Sequence, residues 1–360
     1  MQRKAIFIAA TGQNVGKTTI CLGLIALLKR HFSKVGFIKP VGQQHETVED
    51  DLQVDKDVIL FKEYFGLPSS YDEMSPVILP AGFTRDFLDG KVDGEALKEK
   101  IKKCFKNVLS SNDFTIVEGT GHVGVGSIVQ MNNAWVAALL GVDIVLITKG
   151  GLGRAFDELA INKALCDALG VPIRGVILNR VVPEKKEMII HYMKKALDRW
   201  QIPLIGTLPF NSLLSTPSLE DFEGLFNTPL LAGSSHHYQH FETIRMLSSS
   251  VETFQDFLMP GQLIITPATR EDIISHLLTK HPSAPSPAYG LILTGLIPPT
   301  PTIIEKLKKA EIPTIYAGKM SFDVMKMITS FTAKIRKEDS SKVEEAIQMV
   351  GDNIDFSFLM

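Results

Sequence analysis

The stretch Thr11-Gly12-Gln13-Asn14-Val15-Gly16-Lys17-Thr18 decides the fold. It follows an apolar run at residues 5–10 that reads as a buried strand. It leads into residues 18–32, which read as a helix ending in basic residues. Strand, glycine loop and helix in that order are the context a phosphate-binding loop requires. Successive backbone N–H groups curl around a phosphate, and the helix N-terminus adds a favourable dipole. Gly12 and Gly16 allow close approach of the backbone. Lys17 reaches the β- and γ-phosphates, and the Thr18 hydroxyl offers an oxygen to Mg²⁺. The cradle candidates are Thr11, Gly12, Gln13, Asn14, Val15, Gly16, Lys17, Thr18 and Thr19. The usual pattern opens on Gly, and this one opens on Thr11.

Outward from that loop, short apolar runs alternate with helical periodicity. Residues 35–38, 115–117, 142–148, 175–178 and 202–208 read as strands. Residues 60–65, 94–109 and 158–168 read as helices. Strands apolar on both faces, alternating with helices, predict an α/β fold with a doubly wound, mainly parallel sheet covered on both sides. Residues 209–235 are rich in Pro, Ser, Thr and Gly and read as a connection between domains. A second, smaller alternation follows. Strands are expected at 261–265, 290–294 and 314–316, helices at 270–278, 302–310 and 324–328, and a proline-bearing loop at 280–289. The expected domains are 1–222 and 223–360.

The chain has 360 residues with 38 basic and 40 acidic side chains, a net charge of -2. That balance gives no global reason to bind nucleic acid or an anionic membrane. The longest apolar stretch, 134–148, is broken by Gly141 and Asp143 and is shorter than a membrane-spanning helix needs. Cys21, Cys104 and Cys166 are widely spaced and in no metal-ligand pattern, which fits a reducing compartment. A soluble cytoplasmic protein is expected.

A phosphate loop needs acidic partners for Mg²⁺. Glu118 ends a buried strand, where parallel sheets bind ligands. Asp55 and Asp57 precede a helical run, and Asp57 could equally cap that helix. Lys39 follows the second strand and would face the same edge as Lys17, so that two ammonium groups converge on a transferred phosphate. Asn179 closes another strand, where an amide can read an adenine edge. The run 149–154 looks like a second glycine loop but lacks Gly-Lys-Thr, and reads as a strand-to-helix turn. His236 and His240 read as a solvated helix start. His122 lies in the glycine-rich segment after Glu118.

Together these motifs resemble the dethiobiotin synthetase-like branch of P-loop NTPases. They are closer still to the N-terminal region of large phosphotransacetylases. The resemblance rests on Lys39-Pro40-Val41-Gly42-Gln43, Val54-Asp55-Lys56-Asp57-Val58 and the run from Val117-Glu118-Gly119 to Gly126-Ser127. It covers roughly residues 3–220. Gly261–Pro267 (261–267), 270–274 and 290–295 resemble the DRTGG domain that follows in the same proteins. Thr269 and Leu296 depart from its eponymous Asp and second Gly, which puts ligand binding there in question. The resemblance implies ATP and Mg²⁺ as cofactors, Lys17 and Lys39 as catalytic lysines, Thr18, Asp57 and Glu118 as metal ligands, and Asn179 at adenine. In dethiobiotin synthetases a carbamate attacks the γ-phosphate. The phosphotransacetylase catalytic domain has no counterpart in 360 residues, so acetyl transfer is not expected. Two functions follow: an ATP-binding regulator of an unknown small-molecule or protein partner, connected to acetyl-phosphate metabolism, or a dethiobiotin synthetase-like ligase. A homodimer is expected by analogy.

Overall fold

The computed structural model describes residues 4–48, 51–280 and 289–357. They divide into two compact units. One holds Met1–Phe210 and Ile335–Met360, the other Asn211–Lys334.

The first unit is built on a six-stranded sheet. In chain order its elements are β1 (Ala5–Ala10), α1 (Lys17–His31), β2 (Val35–Ile38), α2 (Lys56–Phe65), α3 (Gly94–Ser111) and β3 (Phe114–His122). Then come α4 (Asn133–Leu140), β4 (Ile144–Lys149), α5 (Gly153–Ala168), β5 (Ile173–Val181), α6 (Lys186–Asp198) and β6 (Leu204–Pro209). The strand order is β6-β5-β4-β1-β3-β2, and every pairing is parallel. The chain crosses one way from β1 to β2 and the other way from β3 to β4. The carboxyl ends of β1 and β3 therefore border the kind of crevice where open α/β sheets take ligands. Phe7 pairs with Val117, and Ile38 pairs with the same Val117 on the far side. That register brings the loops after β1, β2 and β3 to one edge.

The second unit has a smaller sheet. Its elements are α7 (Leu219–Phe226), β7 (Leu230–Ala232), β8 (Thr243–Met246), β9 (Gln262–Pro267), α8 (Glu271–Lys280), β10 (Tyr289–Thr294), α9 (Pro301–Lys309), β11 (Thr314–Tyr316) and α10 (Ser321–Ser330). The order is β7-β11-β10-β9-β8. Only the β7–β11 pairing is antiparallel. The doubly wound parallel sheet followed by a smaller α/β unit is as the sequence predicts. The loop expected at 280–289 lies largely outside the described residues.

The domain limits differ from expectation in two places. The segment 209–235 is no mere connection. Ser218 and Asp221 form a capping box that starts α7, and Leu219, Phe222 and Phe226 join Phe241, Leu263 and Ile265 in the core of the second unit. The proline and serine content masked that cap. The second difference is α11 (Ser340–Asn353). The sequence reading gave all of 223–360 to the second domain, but α11 packs on α1 in the first unit. The reason lies in α1, where Ile20, Cys21, Leu22, Gly23, Leu24, Ile25 and Leu28 are all buried. A helix apolar on every side needs a cover beyond its own sheet. Gly23 lets Val350 sit directly on the helix backbone, since a Cβ at Gly23 would lie 2.2 Å from Val350 Cβ. Ile354 then pairs in antiparallel fashion with Gly206 in β6.

Among the described residues no helix is long and apolar enough to cross a membrane. Cys21, Cys104 and Cys166 are free and buried.

Candidate nucleotide-binding site

The loop after β1 is shaped by two residues in the left-handed region, Asn14 (φ 53) and Gly16 (φ 107). Gly16 has no room for a side chain, because its Cβ would fall 2.1 Å from Asn179 Nδ2. Thr11 explains its own departure from glycine. Its N–H donates to Ile147 O at 2.8 Å. Its hydroxyl lies 3.0 Å from Thr148 Oγ1 and 3.3 Å from Glu158 Oε2. The start of the loop is thus pinned to β4 and α5. Asn162, also on α5, donates to Glu158 O at 2.8 Å and accepts from Val123 N–H at 3.0 Å.

Asn179, expected at adenine, also holds the phosphate loop. Its side chain is buried, its Nδ2 donates to Val15 O at 2.7 Å, and its Oδ1 accepts from Arg180 N–H at 2.9 Å. Each end of the amide holds one protein group and keeps a second hydrogen-bonding position, and the Val15 contact braces the loop. The sequence put Asn179 just past a strand, whereas β5 runs on to Val181 and Asn179 pairs with Lys149 within it; nor could the sequence show that Gly16 leaves the gap Asn179 fills.

The expected polar cluster does assemble. Thr18 Oγ1 lies 3.2 Å from Asp57 Oδ1 and 3.5 Å from Glu118 Oε1. Lys39 Nζ touches Asp57 Oδ2 directly, and lies 2.9 Å from Asp55 Oδ1 and 3.8 Å from Glu118 Oε1. Asp55 caps α2 by accepting from the Asp57 N–H at 3.0 Å. Asp55 is therefore the cap, and the Asp57 carboxylate joins Thr18 and Lys39 in the cluster. Lys17 Nζ rests on Gly121 O at 2.8 Å.

Burial makes the cluster electrostatically tense. It pushes the Glu118 carboxyl up to about 7, with Asp57 adding to the rise and Lys39 opposing it. Burial pulls the Lys17 ammonium down; Glu118 opposes this and Lys39 adds to it. Burial alone would lower Lys39 too, but Asp57, Glu118 and Asp55 together hold it well above its ordinary value. Lys39 is thus firmly charged among its carboxylates.

The residues fit Mg²⁺. Thr18, Asp57 and Glu118 offer hard oxygens at one point, and Glu118 Oε2 is buried with no hydrogen-bond partner among the described residues. No group of three or more His, Cys, Asp or Glu among those residues forms a ready metal cage. Mg²⁺ held with a nucleotide needs none, because it takes one or two carboxylates plus phosphate oxygens and water.

Residues absent from the sequence reading complete the site. Asn133, at the start of α4, accepts from the Thr120 N–H at 3.0 Å and donates to Thr120 O and His122 O at 2.8 Å each. It clamps the segment whose Gly121 carbonyl receives Lys17. An amide opening an otherwise apolar helix was the available signal. Glu158 and Asn162 carried none, since their role depends on α5 passing beneath Thr11. Of the remaining candidates, residues 149–154 form the expected strand-to-helix turn, with Lys149 ending β4 and Gly153 opening α5. His122 is exposed, and its Nδ1 accepts from the Gly124 N–H at 3.1 Å. His236 ends a short 3-10 turn rather than starting a longer helix.

Comparison with known proteins places this geometry. Residues 4–218 match the AAA_26 family, an AAA domain, and residues 226–331 match the DRTGG domain. A phosphate acetyltransferase from Nitratidesulfovibrio vulgaris is 26% identical over 98% of this chain and 51% of its own length. The chain spans about half the length of the curated phosphate acetyltransferases it matches. The ATP-dependent dethiobiotin synthetase BioD of Bacillus subtilis subsp. natto is 25% identical over 57% of this chain and 87% of its own. Among solved structures, the MinC:MinD cell division complex of Aquifex aeolicus is 16% identical, covering 59% of this chain and 84% of its own, with a TM-score of 0.38.

Proposed function

From the premise that this chain belongs to the AAA_26 family of AAA domains and carries a DRTGG domain after it, we propose that it binds ATP with Mg²⁺ and uses nucleotide occupancy to control a partner. The observation that carries the reading is the convergence of Lys17, Thr18, Lys39, Asp57 and Glu118 at the carboxyl edge of β1, β2 and β3. The loop N–H groups from Gly12 to Thr19 would wrap the β-phosphate. Lys17 would leave Gly121 O for the β- and γ-phosphates. Thr18, Asp57 and Glu118 would hold the metal, which supplies charge neutralisation between the phosphates. Lys39 would face the γ-phosphate, where a second ammonium stabilises developing negative charge. Asn179 would keep the loop in place and offer its second donor and acceptor positions to the adenine. The phosphate acetyltransferase relatives support a link to acetyl-phosphate metabolism. A cytoplasmic homodimer belongs to the same reading.

A second reading has its own support. The likeness to dethiobiotin synthetase extends over 213 residues, and both lysines expected in that chemistry are present. Calorimetric titration of wild type and Lys17→Ala with ATP and Mg²⁺ tests the first reading. Binding by wild type and loss in the variant are expected; no binding by wild type would sink both readings. Turnover with diaminopelargonic acid, bicarbonate and ATP would replace the regulator with the ligase.

A further inference from the structure

We propose that Lys39 is an internal counter-ion standing in the place of the divalent cation, displaced only when metal and nucleotide arrive together. The inference rests on the nucleotide-and-metal reading above and adds how the two ligands depend on each other.

Lys39 is 6% exposed, and its backbone N–H is fixed to Met74 O at 2.8 Å. Its ammonium lies among three carboxylates, Asp55, Asp57 and Glu118. Two of these are the carboxylates a metal would need, and Thr18 points at the same two. A divalent ion arriving alone would meet an ammonium already paired with its ligands. Burial leaves little water to screen that repulsion. A nucleotide arriving alone would bring its phosphates towards three carboxylates, with Lys39 still committed to them. Arriving together, the metal takes Asp57 and Glu118, while the γ-phosphate gives Lys39 a new anionic partner. Asp55 is what makes the exchange local. It lies outside the metal set, is buried, and holds both the Lys39 ammonium and the Asp57 N–H. Lys39 can therefore release two carboxylates and keep the third. Metal and nucleotide then bind with positive coupling, each raising affinity for the other by the same factor.

The test uses the full chain, with Mn²⁺ as the probe. Calorimetry measures Mn²⁺ alone, ATP in EDTA, and both together, corrected for Mn²⁺–ATP association in solution. Lys39→Met should bind Mn²⁺ alone at least about tenfold more tightly than wild type, and the coupling factor should fall at least about tenfold, within the usual allosteric range. Lys39→Arg keeps the charge and should stay near wild type. If Lys39→Met fails to fold, Lys39→Gln replaces it, since its amide still donates to the carboxylates. A folded neutral variant with unchanged or weaker Mn²⁺ affinity overturns the proposal, as does Lys39→Arg behaving like Lys39→Met. Loss of ATP binding by wild type would sink the nucleotide reading instead, and the Mn²⁺ comparison would still decide the role of Lys39.

Discussion

Gly23→Ala should destabilise the first unit although it improves the helix. In an ordinary helix interior this exchange gains about 1 kcal/mol. Here the new Cβ would lie 2.2 Å from Val350 Cβ and 2.3 Å from Val350 Cγ1. Carbon atoms in contact prefer about 3.5–4.0 Å, so more than an ångström must be found. Rotating Val350 cannot supply it, because its Cβ is fixed to the α11 backbone. The helix α11 must move away from α1, and overpacking of that kind costs about 1–3 kcal/mol. At the upper end of that range, the net loss is about 1–2 kcal/mol after the helical gain. Trp135 and Trp200 are the only tryptophans, and both lie in the first unit. Urea unfolding followed by their fluorescence therefore reads that unit alone. Moving the glycine across the interface, with Gly23→Ala and Val350→Gly together, should recover part of the loss. A favourable interaction energy of about 1 kcal/mol or more is expected from the cycle. A Gly23→Ala midpoint raised by the full helical gain of about 1 kcal/mol would refute the packing of α11 on α1.

Two other outcomes follow from the site. The folded Glu118 carboxyl titrates at about 7 against an ordinary 4.5. A carboxyl raised in this way contributes stability that is complete below its unfolded value and is lost as pH rises through its folded one. Metal-free protein should therefore weaken between about pH 4.5 and 7, by at most about 3 kcal/mol. Glu118→Gln should flatten that dependence in urea titrations run in EDTA; a slope unchanged in the variant would be inconsistent with it. Divalent affinity should run the other way, rising with pH as Glu118 ionises. Asn133→Ala removes three hydrogen bonds to the Thr120–His122 backbone (120–122) and leaves buried polar groups unpaired. A loss of about 2–4 kcal/mol is expected; a fluorescence midpoint shifted by less than a quarter of that would show that the segment is held by other means.

What could be read in advance divides along a physical line. The phosphate loop, the strands and the convergence of Lys17, Lys39, Asp57 and Glu118 are encoded locally. Lys17 opens the helix after β1, Lys39 follows β2, Asp57 lies in the first turn of α2 and Glu118 sits within β3; a parallel sheet gathers the segments that leave its strands at one edge. Asn179 shows the limit of such reading. Its position was legible, but its partner was not, because the contact with Val15 O depends on Gly16 lacking a side chain. Asp55 and Asp57 stand two residues apart with similar claims, and only the hydrogen bond from the Asp57 N–H tells which of them caps α2. Asn133, Glu158 and Asn162 act across more than ten residues of sequence, where no local pattern reaches. The ownership of α11 was hidden for the same reason. Its partner helix comes more than 300 residues earlier, and the one trace was that α1 is apolar on every side.

The return of the chain to its first unit bears on how the protein is made. A ribosome delivers β1 to β6 first and α11 only after the whole of the second unit. At about 5–20 residues per second, the roughly 140 residues from Phe210 to Ile354 take about 7–30 s. For that interval the outer face of α1 has no cover, and β6 lacks its bridge to Ile354. The second unit, continuous in sequence, can close meanwhile. The helix that bears the phosphate loop is among the first to be synthesised and among the last to be sealed, its leucines and isoleucines waiting on the final turns of the chain.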